Sequence, residues 1–125
     1  MNYKELKDSL REVLSTQATS YEYTDTMNFL IEKSIELGAD DFEVDEHDNI
    51  YITKGKADVY PCVVSHTDTV HDIYKGYQVY QVKGNFVAFD SDTMQQVGTG
   101  GDDKVGMWVC LEMLSKFDNI KVCFF

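Results

Sequence analysis

The sequence predicts an α/β fold, a three-layer sandwich built on a mixed, partly parallel sheet. Three observations carry that expectation. Leu6, Leu10, Val13 and Leu14, and later Met27, Leu30, Ile31, Ser34 and Leu37, recur at the spacing of one helix face. Phe42, Val44, Ile50 and Ile52 alternate with polar residues, as in strands with one solvated face. Residues 59–64 and 120–125 are nearly continuous apolar runs, the pattern of interior strands, with a helix-length segment before the second.

Taken in order, residues 2–15 form an amphipathic helix, and 15–20 read as a polar loop. A second helix starts near Thr24 or Asp25, either of which can accept from free N–H groups of the first turn. Gly38 is placed to end it in a left-handed conformation. A hairpin follows, turning at residues 45–49, with His47 solvated in the turn. Residues 59–64 should be a strand covered on both faces, with Pro61 near its start or on an edge. Residues 77–82 and 85–89 pair as a second hairpin through Lys83-Gly84-Asn85. Tyr74, Tyr77 and Tyr80 pack that hairpin. Residues 105–117 are apolar nearly all round and predict a buried helix. No repeat, low-complexity tract or linker divides the chain, so residues 1–125 read as one domain.

Composition narrows the function. Of 125 residues, 43% are apolar and 13% aromatic, enough for a folded core. Eleven Lys and Arg stand against 22 Asp and Glu, a net charge of -11. That balance argues against nucleic acid, whose binding needs basic side chains on phosphates. It argues equally against an anionic membrane surface. Residues 1–10 lack the apolar core of a signal peptide, and no run approaches a membrane span. Cys62, Cys110 and Cys123 lie in apolar runs without C-x-x-C spacing. They read as reduced, buried thiols of a cytoplasmic protein.

Two motifs carry chemistry. The first is Ser65-His66-Thr67-Asp68-Thr69-Val70, directly after the strand at 59–64. Ligands collect beyond the carboxyl ends of strands in open α/β sheets. Alternation along extended chain sends His66 and Asp68 to one side. A neutral imidazole suits zinc, and a carboxylate on its far nitrogen fixes the tautomer. The second motif is Gly98-Thr99-Gly100-Gly101-Asp102-Asp103-Lys104. Its glycines permit a tight turn, and Asp102 emerges at a helix start, where one carboxylate can bridge two cations. Phosphate binding at this loop is disfavoured, because Asp102 and Asp103 repel an anion and no P-loop pattern is present. His71 and Asp72 fall in the loop after the first motif and are not expected as ligands.

The two motifs together resemble the co-catalytic zinc metallopeptidases related to peptidase T, carboxypeptidase G and the aminoacylases. The family's His-x-Asp-Thr-Val-like segment is matched by His66-Thr67-Asp68-Thr69-Val70. Its Gly-Ala-Asp-Asp-Lys-Ala-Gly-like segment is matched by Gly101-Asp102-Asp103-Lys104-Val105-Gly106, with Gly in place of Ala. The resemblance implies a zinc-exopeptidase-like catalytic domain in which His66 and Asp102 are metal ligands and Asp102 bridges two zinc ions. By the same resemblance Asp68 would be the catalytic residue, orienting His66. Asp103 is structural and follows a cis peptide bond.

In that family a strand like residues 120–125 runs into an acidic segment with two adjacent glutamates, a general base and a ligand. A further carboxylate ligand, a last histidine and an inserted domain come later. The sequence ends at Phe125, so it reads as the N-terminal half of such an enzyme, incomplete at the C-terminus. The complete enzyme would hydrolyse peptides or N-acyl amino acids with metal-activated water. Alone, this chain is expected to bind zinc weakly and to be inactive. A complementing C-terminal half or a homo-oligomer are the expected partners. The alternative is a non-catalytic domain that self-associates, or binds a partner, through a truncated sheet edge.

Overall fold

The computed structural model describes residues 2–125. The first helix, α1 (Tyr3–Leu14), opens with a reciprocal cap between Asn2 and Glu5. The second, α2 (Thr24–Glu36), starts after Tyr23 with no side-chain cap. Thr24 and Asp25 are already helical and do not fill the capping role expected of them. Thr26 instead donates to the Gln17 carbonyl at 2.8 Å, tying the helix start to the preceding loop. Gly38, at φ +100°, ends α2 as expected, and the Ala39 amide closes back on the Ser34 carbonyl.

The main sheet contains β1 (Asp41–Val44), β2 (Ile50–Lys54), β3 (Cys62–Ser65) and β7 (Ile120–Phe124), in the order β1-β2-β7-β3. The first two pairings are antiparallel and β3–β7 is parallel, so the sheet is mixed. A second, antiparallel sheet holds β4 (Tyr77–Val82), β5 (Asn85–Asp90) and β6 (Gln95–Val97). Lys83 and Gly84, both at positive φ, make the β4–β5 turn. The sequence reading missed β6, whose Gln-Gln-Val is too short to show an alternation.

One cluster forms the core. Ile50, Ile52, Ile120, Val122 and Phe124 from the sheet meet Leu30, Met107, Cys110, Leu111 and Leu114 from α2 and the third helix, α3 (Gly101–Lys116). Full burial of each large side chain contributes about 1.5–3 kcal/mol. Lys54 closes this layer by donating to the Leu37 and Leu114 carbonyls, near the ends of α2 and α3. A smaller cluster of Leu14, Val79 and Ala88 seats α1 on the second sheet.

Three expectations need correction. The strand at 59–64 is shorter and starts later, at Cys62, and it is not covered on both faces. Val59 is 84% exposed and Val64 54%. The reason is position: β3 pairs only with β7, and α3 packs on one side of it. For the same reason Cys62 is exposed, while Cys110 is buried and Cys123 intermediate. The helix at 105–117 begins earlier, at Gly101, and leaves Val105 and Val109 on an exposed face.

The deepest surprise in α3 is Lys104, only 3% exposed. Its ammonium donates to the Leu14 carbonyl at 3.1 Å and the Tyr77 hydroxyl at 3.2 Å, joining α3 to the end of α1 and to β4. Burial pushes its pKa down from 10.5 to about 8. A depressed folded-state pKa means that the unfolded chain holds the proton more tightly. Its stabilising contribution is therefore complete above pH 10.5 and lost as pH falls through about 8. Between pH 8 and 10 this group alone should raise stability by about 2 kcal/mol. Denaturant unfolding of the wild type and Lys104→Met across that range should show the rise in their difference; parallel profiles would contradict it.

Candidate metal centre

The first motif leaves the carboxyl end of β3 and is held from two sides. The Thr67 amide donates to the Phe125 carbonyl at 2.6 Å, and the Phe125 amide to the Ser65 carbonyl at 2.9 Å. These bonds carry the parallel ladder past the strand ends and fix the backbone on which His66 sits. From the other side, the Thr69 amide and hydroxyl both donate to the Ala18 carbonyl at 2.9 Å. The Ser20 hydroxyl donates to the Asp68 carboxylate at 3.0 Å. The polar loop between α1 and α2 thus braces the motif.

The second motif turns into α3 through Gly100, at φ +68°. A β-carbon there would crowd the Thr69 methyl at 2.9 Å, so both the backbone angle and the space require glycine. Asp102 and Asp103 have non-helical dihedrals, and the peptide bond between them is cis, as the resemblance implies. Asp103 then turns its carboxylate back over the helix start. It accepts from the Gly106 amide at 3.1 Å and, at 3.4 Å, from the His66 amide. A side chain at Gly106 would collide with that carboxylate. One aspartate therefore fastens the end of β3 to the first turn of α3.

The result is close approach of three side chains 36 residues or fewer apart in sequence. His66 Nε2 lies 3.0 Å from Asp102 Oδ1. His66 Nδ1 lies 3.0 Å from the Asp68 carbonyl oxygen and 3.3 Å from the Asp68 carboxylate. The carbonyl accepts only, so Nδ1 carries a proton. Nε2 then either holds a second proton or points a bare lone pair at the Asp102 carboxylate. Burial pulls the His66 pKa down. The Asp102 hydrogen bond, the Asp68 carbonyl and the charges of Asp103 and Asp68 outweigh it, leaving a net rise above 6.5.

A position between an acceptor nitrogen and a carboxylate suits a cation as well as a proton. The two donors are of the type that zinc takes, imidazole and carboxylate. Asp102 is 95% exposed, so its second oxygen stays free. Among the described residues no third His, Cys, Asp or Glu joins them in a ligand cluster. A catalytic zinc site has three protein ligands. The donors present fit the ion in kind and fall short in number.

His47 is exposed beside Glu46. His71 packs its ring on Gly98, where any side chain would collide with it. The sequence reading missed Ser20 and the bracing role of the loop around it. Its only signal was a run of small polar residues. It also missed that Asp103 contacts the His66 backbone, which no spacing rule discloses. In the protein without metal, His66 should titrate above pH 6.5, and Asp102→Asn should lower its midpoint. An NMR titration of the ring protons checks this, and an unchanged midpoint would contradict the pairing.

No protein-family model matches the chain, and no curated protein does. Solved structures do. A tripeptidase from Staphylococcus aureus superposes with a TM-score of 0.70 at 24% identity, covering 99% of this chain and 36% of that one. An aminoacylhistidine dipeptidase from Vibrio alginolyticus gives 0.72 at 18% identity, with 99% and 28% covered. The aminopeptidase PepT of Bacillus cereus gives 0.66 at 20% identity, with 99% and 36% covered. The chain thus spans about a third of the length of these structures, and over nearly all of its own length it has the fold of that part of a peptidase.

Proposed function

We propose that this chain supplies part of the active centre of a zinc-dependent exopeptidase of the peptidase T type. His66 and Asp102 serve as metal ligands, and Asp68 as the residue that orients His66. The observation that carries this is the 3.0 Å approach of His66 Nε2 to the Asp102 carboxylate, with Nδ1 occupied by Asp68. The likeness to three peptidases supports the same reading.

Zinc, when bound, supplies Lewis acidity and lowers the pKa of water. This chain's residues do the positioning. Asp68 holds the Nδ1 proton, so Nε2 stays free for the ion. Asp103 sets the spacing between the two ligands. The remaining ligands and the general base would come from further polypeptide of the same enzyme. A peptide or N-acyl amino acid is the substrate class.

Calorimetric titration with zinc tests the assignment. The wild type should bind weakly, as two protein ligands allow. His66→Ala and Asp102→Ala should abolish binding, and His47→Ala should leave it unchanged. Asp68→Ala should weaken it about 10–100-fold. Binding that survives loss of His66 would sink the assignment.

One observation favours a second reading, a non-catalytic domain that self-associates. Among the described residues β3 hydrogen-bonds to a neighbour on one side only, with Val64 exposed beside it. Sedimentation separates the two: that reading requires dimers or larger at micromolar concentration, and a strict monomer removes it.

A further inference from the structure

The face of the main sheet opposite α3 carries a pair of neighbouring thiols, apart from His66 and Asp102. Cys62 on β3 and Cys123 on β7 point to that face with their sulfurs 4.0 Å apart. Their strands are parallel neighbours, with Cys62 opposite Lys121 and Val64 opposite Cys123. The two cysteines are therefore diagonal partners, offset by two residues. With parallel strands about 4.8 Å apart and a rise of about 3.3 Å per residue, positions offset by two lie about 8 Å apart. That is at or beyond the span that a disulfide bridges without backbone movement. The sulfurs would also have to close by about 2 Å to bond.

A shared ion fits the spacing without that movement. Sulfurs 4.0 Å apart lie a little under twice a thiolate–metal bond of about 2.3 Å, so a small outward turn of the two side chains seats one ion in line between them. We propose that Cys62 and Cys123 form a two-thiolate site for a soft monovalent cation, copper(I), separate from the His66–Asp102 centre. Thiolates select copper(I) over harder ions. Cys62 is exposed, which opens a path for entry. No third His, Cys, Asp or Glu among the described residues completes a cluster, so a zinc-type tetrahedral site is not formed. Binding replaces two S–H protons with one ion, releasing both protons to solvent and leaving a complex of net charge minus one. Lys121, directly across from Cys62, supplies a compensating positive charge. Its ammonium is held over the Tyr60 ring at 5.0 Å.

The test is anaerobic competition of the fully reduced chain with a chromophoric copper(I) chelator. The wild type should withhold one equivalent of copper. Cys62→Ser and Cys123→Ser should each weaken retention at least a hundredfold. Cys110→Ser and His66→Ala should retain the full equivalent, which separates this site from the first. Circular dichroism of each variant establishes that it is folded, and Cys62→Ala serves where the serine variant is not. Retention that depends on Cys110, or no retention by the wild type, overturns the proposal. So does quantitative Cys62–Cys123 disulfide formation by peroxide at unchanged stability, because the strand geometry argued here forbids it.

Discussion

The site depends on one carboxylate. Asp103 accepts from the His66 amide and from the Gly106 amide, so it binds the carboxyl end of β3 to the first turn of α3. His66 and Asp102 flank those contacts, one on each motif. The link adds a direct tie between two segments that Phe125, Ala18 and Lys104 already hold from other sides. The glycine at 106 exists to leave room for that carboxylate. The Gly106 bond is the tighter of the two at 3.1 Å, and the His66 contact is long at 3.4 Å.

Around that joint the fold supplies rigid supports. β7 runs inside the main sheet, and Phe125, the residue after it, accepts from the Thr67 amide beside His66. The loop between α1 and α2 reaches across to Asp68 and Thr69. Lys104, two residues after Asp102, is drawn inward to Leu14 and Tyr77. The chain thus pulls Lys104 into the protein while Asp102 faces solvent. Placing an ammonium there is costly, as its depressed pKa records. The gain is a fixed orientation for the start of α3.

Much of this was legible in the residues. Helical and alternating periods located α1, α2 and both hairpins, and the motif spacing brought out His66, Asp68 and Asp102. Order of elements also pointed to a mixed, partly parallel sheet. What periodicity could not disclose was coverage. An apolar run such as 59–64 reads as an interior strand whatever lies above it, yet Val59 and Val64 are exposed because β3 sits at an edge. Cys62 was misjudged for the same reason. Lys104 was hidden because burial of a charge depends on partners 27 and 90 residues away. The Asp103 contact to the His66 backbone is a tertiary bond with no sequence signature.

The central claim is that a cation occupies the gap between His66 Nε2 and the Asp102 carboxylate. Nitrogen-15 spectra of the His66 ring, recorded with and without zinc, address it directly. The account predicts that zinc shifts Nε2 to the value of a metal-bound nitrogen while Nδ1 keeps its proton against Asp68. Coordination through Nδ1, or a ring spectrum unaltered by excess zinc, would contradict it.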